Sequence, residues 1–164
     1  RIHLINAAAS DKSQTMLPDL ELATGNMGGV KVSSLTDKST KHKKNGVIKA
    51  VPIDSLNLPT GIPVVMKLDV EGHELSALVG ALGFLEKADL VMAMMELRQP
   101  LDKDPRWKTI FRIMHSKGLR PYRVSEGNRF IKVDANNPSS WSSRHETHFD
   151  VVWVNDAMMD EMLK

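Results

Sequence analysis

Residues 64–74 read Val-Val-Met-Lys-Leu-Asp-Val-Glu-Gly-His-Glu, an apolar run that passes abruptly into charged residues around a glycine. Pro63 precedes the run and Gly72 follows it, which is typical of a strand bounded by turns. Because the run is almost continuously apolar, it predicts a strand buried on both faces of a parallel sheet. Asp69 would then lie in apolar surroundings, where an unpaired carboxylate is costly. This placement favours a functional role for Asp69, with Lys67 either as its partner or extending outward to solvent.

The residues after this run have the periodicity of an amphipathic helix. Apolar side chains recur at three- and four-residue intervals, at Leu75, Leu78, Val79, Leu82 and Leu85. Gly80 and Gly83 each weaken the helix by roughly 1 kcal/mol relative to Ala, so we expect them to permit the close approach of a neighbour. A second apolar run of strand length follows at 89–97. Strand, helix and strand in this order predict a βαβ unit and an α/β fold.

The N-terminal part of the chain predicts only short elements. Residues 2–8 indicate a strand, and short antiparallel strands are expected around 30–34 and 47–51. The basic run at 38–44 has no interleaved aromatic residues, which favours a solvated loop over a phosphate- or nucleic-acid-binding patch.

The C-terminal part alternates a helix with strands. Pro105 predicts the start of a helix that ends at Gly118, with Trp107, Ile110, Phe111 and Met114 on its buried face. Short strands are expected at 121–124 and 129–133, around a turn. A buried strand at 149–154 then precedes a terminal helix capped by Asn155.

The bulk composition is that of an ordinary globular domain. The 164 residues are 41% hydrophobic and 26% charged, which predicts one domain with enough apolar surface for a core. The net charge of +2 provides no general attraction to nucleic acid or membranes. No apolar run approaches the roughly 18 residues of a membrane helix. The absence of cysteine excludes disulfides and thiolate metal sites, and it leaves the compartment open, with the cytoplasm as the default.

Polar residues at the ends of the two central strands mark the candidate site. In open parallel sheets, ligands bind outside the carboxyl ends of the strands. The first strand leads into Asp69, Glu71, His73 and Glu74, and the second ends near Glu96. We expect these side chains to lie at one edge of the sheet, where carboxylates act in acid–base chemistry or bind cationic or hydroxyl-bearing groups. A simpler alternative holds for Glu71 and Glu74, because acids at a strand–helix turn often cap the helix.

Other catalytic motifs are absent. His73 and Glu74 begin like the zinc motif H-E-x-x-H, but Ala77 occupies the place of the second histidine. There is no G-x-S-x-G nucleophile elbow, and the glycine-rich residues 25–29 do not follow a buried strand. We therefore predict neither a zinc site nor a dinucleotide fingerprint from motifs of this kind.

Several segments resemble the FkbM family of methyltransferases. Residues 51–56 are similar to that family's v-t/s-l-D-x-l strand, and residues 66–74 to its K-i-D-V-E-G-x-E motif. Residues 5–11 resemble its n-x-A-l-s-D step, Asn26 begins an N-x-G like that of its next loop, and residues 148–154 resemble its closing D-v-l-F-v strand. The resemblance spans nearly the whole chain, and its most specific part is 66–74.

This resemblance implies a Rossmann-like class I methyltransferase fold with strand order 3-2-1-4-5-7-6. It also implies S-adenosylmethionine as the cofactor and a hydroxyl of a sugar or natural product as the methyl acceptor. Asp69 would lie near the sulfonium and the acceptor, and Asn6, Ala7 and Ala8 would lie near the adenine.

The acceptor side follows from the same resemblance. Glu71 and His73 would line it, and Asp69 or His73 would take the proton of the acceptor, with Glu71 as a third candidate catalytic residue. The expected substrate-binding residues are Glu71, Glu74, Glu96 and Asn26.

The resemblance also implies a longer domain. The family's glycine-rich first motif and its ribose-binding acid should precede residue 1, so we expect residues 1–164 to be a partial domain that lacks strands one and two and binds cofactor poorly or not at all. Two alternatives remain open. One is a degenerate, non-catalytic domain that binds a partner or glycan, and the other is a divalent-metal methyltransferase that uses Asp69 and Glu96.

Overall fold

The structure, a computed structural model, describes residues 2–19, 31–34, 46–98, 106–125, 129–134, 137 and 148–162. The described residues combine helices and strands and form two compact units. The first unit comprises Arg1–Leu58 and Ser76–Phe84, and the second comprises Pro59–Leu75 and Leu85–Lys164. Asn26 and the basic run at 38–44 lie outside the described residues.

The described strands of the first unit form one four-stranded sheet. They are β1 (Ala8–Ala9), β2 (Gln14–Asp19), β3 (Lys31–Ser34) and β4 (Ile48–Val51), in the order β1-β4-β2-β3. β1 pairs with β4 in parallel, and the other pairs are antiparallel. β3 and β4 confirm the two expected short strands. The sequence does not predict β2, because Pro18 weakens a strand pattern.

The strand expected at 2–8 is wrong for most of its length. Only Ala8 and Ala9 pair with a neighbouring strand, at Ala50 and Val51. Ile2 and Leu4 are 95% and 94% exposed. A strand depends on cross-strand partners, and among the described strands none pairs with residues 2–6. Apolar composition alone is therefore insufficient here.

The helical region after the central motif consists of two short helices instead of one. α1 spans Glu74–Val79 and α2 spans Leu82–Lys87. Gly80 lies between them, and a Cβ at this position would overlap the backbone carbonyl oxygen of Ser10. The close approach that the sequence predicts at Gly80 is thus confirmed. The prediction of one continuous helix is wrong, because the helix is interrupted at Gly80, where the backbone of Ser10 packs closely.

Asp54 holds the start of α2. It lies in a short 3₁₀ helix, Ile53–Leu56, and its carboxylate accepts the backbone N–H groups of Gly83 and Phe84 at 3.0 and 2.7 Å. Its own N–H donates to the carbonyl of Gly80 at 2.8 Å. These bonds satisfy N–H groups that a helix start leaves without partners. The aspartate of the 51–56 segment therefore has a structural role.

The described strands of the second unit form a five-stranded mixed sheet. They are β5 (Pro63–Leu68), β6 (Asp89–Arg98), β7 (Arg120–Ser125), β8 (Arg129–Lys132) and β9 (His148–Val154), in the order β5-β6-β9-β7-β8. β5 and β6 are parallel, which confirms the predicted βαβ unit. β9 is antiparallel to both β6 and β7, and β8 forms a hairpin with β7.

Two helices cover opposite faces of this second sheet. Phe111 of α3 (Arg106–Ser116) packs edge-on against Trp153, with ring centroids 5.6 Å apart. Met159 of α4 (Asp156–Met162) clusters with Val152 and Val154. Since successive residues of β9 face opposite sides, the two helices lie on opposite faces. None of the described helices is long and apolar enough to cross a membrane.

β5 is less buried than the sequence predicts. Its side chains alternate between exposed and partly buried positions, and Val65 is 67% exposed. Among the described strands only β6 pairs with it, so β5 lies at an edge of the sheet. An apolar run is buried on both faces only where layers cover both faces. The strand and its parallel pairing are confirmed, and its burial on both faces is wrong.

A polar cluster fixes the start of α4. The side-chain oxygen of Asn155 accepts the N–H of Met158 at 2.7 Å, which confirms the expected cap. Asp156 Oδ1 accepts bonds from Tyr122 Oη at 2.6 Å and Lys132 Nζ at 2.8 Å. The bond from Lys132, followed by that from Tyr122, lowers the pKa of Asp156. Burial, helped by the bond to Asp156, raises the pKa of Tyr122 to about 12.

This cluster is expected to make folding stability depend on pH. Asp156 has a lower pKa in the folded protein than in the unfolded chain. Its contribution to folding stability is therefore fully present above the ordinary carboxyl pKa of 3.8, and it is lost as the pH falls through the lowered pKa of the folded protein. Asp156→Asn should reduce the free energy of unfolding by about 1 kcal/mol at pH 7, and by less at pH 3. Urea unfolding at both pH values measures this. Asp160→Asn, on the same helix, is the control, and equal losses in the two variants at pH 7 would contradict the prediction.

Candidate functional site

Three carboxylates converge at the carboxyl ends of β5 and β6. Asp69 follows β5 directly, Glu71 lies two residues further along, and Glu96 lies near the end of β6. One carboxylate oxygen from each lies within 4.8 Å of the other two. The parallel pairing of Leu68 with Met95 sets this arrangement, because it brings the two strand ends side by side. The structure thus brings together three of the acids that the sequence assigns to this edge.

Asp69 is exposed and paired. Its side chain is 49% exposed, and its Oδ2 accepts a hydrogen bond from Lys67 Nζ at 3.0 Å. The expected Lys67 partner is therefore confirmed. The argument that Asp69 lies in apolar surroundings is wrong, because it lies one residue beyond an edge strand. An exposed pair of this kind contributes about 0–1 kcal/mol, so Lys67 holds the carboxylate in place only weakly.

The turn after Asp69 has an uncommon backbone conformation. Glu71 and Gly72 are both left-handed, with φ values of 54° and 95°. Glycine adopts this conformation freely, whereas for glutamate it costs roughly 1–2 kcal/mol. Such a residue persists where its surroundings hold it, and this occurs most often at functional sites. The strained turn places the carboxylate of Glu71 with those of Asp69 and Glu96.

Glu74 and His73 contribute to the turn itself. Glu74 is only 7% exposed, and its Oε1 accepts the N–H of Gly72 at 3.0 Å. The structure therefore favours the helix-start role for Glu74 over contact with a ligand. The N–H of His73 donates to the carbonyl of Val70 at 3.1 Å and closes the turn, while its side chain is partly buried.

The other predicted residues lie elsewhere. Asn6, Ala7 and Ala8 belong to the first unit, where Asn6 is exposed, Ala7 and Ala8 are partly buried, and Ala8 begins β1. Asn26 lies outside the residues that the structure describes. The assignment of these four residues to ligand contacts remains a prediction.

Asp150 is a further acid at this edge that the sequence analysis does not select. It is exposed in β9 and lies directly opposite Glu96 in the antiparallel register. Opposed residues point to the same face with Cβ atoms roughly 5 Å apart, and like charges there are destabilising. Asp150 begins the D-v-l-F-v part of the closing strand, and this match is the only feature of the sequence that draws attention to it. Only the register reveals that it lies opposite Glu96.

The residues after β1 form a hydrogen-bond network within the first unit. Asp11 Oδ1 accepts bonds from Ser76 Oγ at 2.8 Å and Ser10 Oγ at 3.1 Å. Gln14 donates to the buried Ser10 Oγ at 3.1 Å. The hydrogen bond from Ser76 is the main reason why the pKa of Asp11 is lowered. The aspartate of the 5–11 segment therefore ties this segment to α1.

Glu71→Gly is expected to increase stability. Glycine removes the strain of roughly 1–2 kcal/mol that the left-handed conformation imposes on glutamate in the folded state. It also loses more backbone entropy on folding, which destabilises the folded state by roughly 0.5–1 kcal/mol. The free energy of unfolding should therefore rise by about 0.5–1 kcal/mol, while one of the three carboxylates is lost. Urea unfolding measures the change. Glu86→Gly, in α2, is the matched control and should lose about 1 kcal/mol. A loss in Glu71→Gly similar to that in the control would contradict the prediction.

Comparison with known proteins identifies the family of this chain. The model of the methyltransferase FkbM domain matches residues 3–121, a range that includes Asp69, Glu71 and Glu96. No curated protein and no solved structure matches the chain significantly. Because the family model covers well over half of the 164 residues, the chain belongs to the FkbM methyltransferase family.

Proposed function

We propose that this protein is an S-adenosylmethionine-dependent methyltransferase that methylates a hydroxyl oxygen on a sugar or natural product. The observation that supports this proposal is the convergence of Asp69, Glu71 and Glu96, in a chain of a methyltransferase family, at the carboxyl ends of two parallel strands. Open α/β sheets bind their ligands at this edge. The exposed carboxylate of Asp69 and the partly buried ones of Glu71 and Glu96 suit proton transfer from a hydroxyl and hydrogen bonding to neighbouring hydroxyls.

A Rossmann-like class I fold is part of the proposal. The order β5-β6-β9-β7, with β9 antiparallel to both neighbours, is the same as the 4-5-7-6 half of the strand order that the resemblance implies. The parallel pair β5 and β6 would correspond to strands four and five, whose carboxyl ends carry the acids. This agreement in strand order supports the assignment independently of the sequence motif.

The charge of the site fits the cofactor. A sulfonium is a cation, and the three acids form an anionic edge whose oxygens lie within 4.8 Å of one another. One carboxylate at about 4 Å attracts a cation by roughly 1–4 kcal/mol near a protein surface. When bound, S-adenosylmethionine supplies an electrophilic methyl carbon, and the electron pair of its C–S bond leaves with the sulfur. The resemblance also supports Asn6, Ala7 and Ala8 as adenine contacts.

Asp69 is the proposed general base. Its exposed carboxylate takes the proton of the acceptor hydroxyl as the new C–O bond forms, and the ion pair with Lys67 at 3.0 Å orients it weakly. His73, on the same turn, is the other candidate for this proton. Glu71 and Glu96 bind hydroxyl groups and orient the acceptor. Positioning in line and removal of the proton are the contributions that this chemistry needs from the protein.

A divalent-cation-dependent methyltransferase is the second candidate. The same geometry favours it, because carboxylate oxygens are the ligands that Mg²⁺ and Ca²⁺ prefer, and three of them lie close together. Activity in EDTA separates the candidates. Loss of activity with recovery on adding Mg²⁺ would support the cation-dependent enzyme, and unchanged activity would support the metal-free one.

Calorimetry with S-adenosylhomocysteine tests the proposed cofactor. We expect saturable one-to-one binding by the natural full-length protein, and no binding of ATP, which shares the adenosine but lacks the sulfur group. Transfer of labelled methyl groups to a panel of glycans and polyhydroxylated natural products then tests the acceptor class. Neither binding nor transfer would contradict the proposal and would favour a non-catalytic domain that binds a partner or glycan.

A further inference from the structure

Side chains hold both polar groups of Gly72. Its N–H donates to Glu74 Oε1 at 3.0 Å, and its carbonyl accepts a bond from Arg106 Nη1 at 3.2 Å. Glu74 lies at the start of α1 and Arg106 at the start of α3, so two separate helices bind the same residue. Glu74 is buried and Arg106 is exposed. We call this arrangement the Gly72 clamp.

The Gly72 clamp holds the two peptide groups that follow Glu71. The N–H of Gly72 belongs to the peptide group that follows Glu71, so the bond to Glu74 sets the backbone rotation on the carboxyl side of Glu71. The carbonyl of Gly72 belongs to the next peptide group, which Arg106 orients. Glu71 is the strained residue of the turn, with φ of 54°, and strain of this kind persists only where neighbours determine the conformation. Without the clamp, Glu71 would relax toward right-handed or extended backbone.

The relaxed turn would separate the acids of the site. In the observed conformation, a carboxylate oxygen of Glu71 lies within 4.8 Å of carboxylate oxygens of Asp69 and Glu96. Rotation about the N–Cα bond of Glu71 would swing its side chain relative to Asp69, so we expect the relaxed turn to separate the two carboxylates. Arg106 also adds a positive charge beside the turn, which offsets the repulsion among the three acids.

We propose that Arg106 is a positioning residue that acts through Gly72 to hold Glu71 in its left-handed conformation for catalysis. The catalytic part of this inference rests on the proposed function. Nothing in the sequence marks Arg106, because it lies outside the motif at 66–74. The hydrogen bond to a backbone carbonyl is visible only in the folded chain.

Kinetics of the natural full-length protein test the catalytic part. Arg106→Ala should lower kcat by roughly tenfold, because misplacement of a group by about 1 Å can cost a large factor in rate. The KM for S-adenosylmethionine should change by less than about twofold, because Asp69 and Glu96 keep their places at the anionic edge. Arg106→Lys, which retains one N–H donor, should recover most of the loss. Arg112→Ala, the same change later in α3, should stay within about twofold of wild type. Equal effects of the Arg106→Ala and Arg112→Ala changes would indicate a general charge effect and overturn the proposal.

A double-variant cycle excludes a merely structural role. If Arg106 acts through Glu71, then Arg106→Ala should change kcat by less than about twofold in a Glu71→Gln background, since the group it positions is already lost. A full tenfold effect in that background would overturn the proposal. Melting temperatures of all the variants check that they remain folded.

The structural part is tested separately from activity. In a ¹⁵N-labelled protein, Arg106→Ala should shift the amide signals of Glu71, Gly72 and His73 and leave those of Gly83 and Phe84, which Asp54 holds, in place. Unchanged signals at residues 71–73 would overturn the proposal even if the enzyme is active. If no methyl transfer is found in the wild type, the proposed function fails, and this measurement alone decides whether Arg106 holds the turn.

Discussion

Asp69→Asn is expected to lower the rate of methyl transfer by roughly 10²- to 10⁴-fold, which is the range for removal of a general base, the role proposed for Asp69. The amide keeps the size of the carboxylate but does not take a proton from the acceptor hydroxyl. Asp69 is half exposed and forms an ion pair with the exposed Lys67, so the free energy of unfolding should change by less than about 1 kcal/mol. A large loss of rate with little loss of stability is therefore the expected pattern. Initial rates with labelled S-adenosylmethionine measure it.

Asp89→Asn is the matched control for Asp69→Asn. Asp89 is an exposed aspartate at the amino end of β6, the end of the parallel strands that carries none of the three acids. Its replacement removes the same charge and should leave the rate within about twofold of wild type. If Asp69→Asn also keeps nearly full activity, Asp69 is not the base. His73→Asn then becomes the next variant to measure.

Gly80→Ala reduces the free energy of unfolding by about 3 kcal/mol, near the top of the usual range for overpacking. A Cβ at Gly80 would overlap the backbone carbonyl of Ser10, and neither backbone can move far. Ser10 is buried and bonded to Gln14, and its N–H donates to the carbonyl of Val51 at 3.0 Å. The new methyl group can be accommodated only by displacing β1 from α1. Urea unfolding measures the loss.

Gly83→Ala is the matched control for Gly80→Ala. Its Cβ would approach a carboxylate oxygen of Asp54 at 3.1 Å, and this side chain can move by a few tenths of an ångström. Alanine also favours the helix by roughly 1 kcal/mol, so we expect stability to remain within about 1 kcal/mol of wild type. If Gly80→Ala and Gly83→Ala lost similar amounts of unfolding free energy, the loss at Gly80 would come from the helix backbone and the contact with Ser10 would not be its cause.

Local patterns predicted many of the elements correctly. The apolar run at 64–69 is a strand that pairs in parallel with the run at 89–97, and α3 ends before Gly118, as the sequence indicates. The cap at Asn155 is also present. These features depend on neighbouring residues, on turn residues and on burial of one face, which short windows of sequence contain.

Two failures of prediction have the same physical cause. Residues 2–6 and β5 are apolar enough for buried strands, yet Ile2 is exposed and β5 lies at an edge of its sheet. Burial and strand pairing require partners that lie far away in the sequence. Composition shows that a segment can be buried and does not show what covers it.

Asp69, Glu71 and Glu96 were identifiable from the sequence, because they lie at the carboxyl ends of two apolar strands, where open parallel sheets bind their ligands. Their meeting within 4.8 Å depends on the register of β5 with β6, and the exposure of Asp69 depends on the edge position of β5. The left-handed Glu71, the bond from Arg106 and the position of Asp150 opposite Glu96 likewise arise only from contacts between distant residues. The sequence by itself thus determined the family, the central strands and the acids, because local chemistry encodes them. The tertiary structure decided which of those acids meet and how they are held, because pairing and packing act across the folded chain.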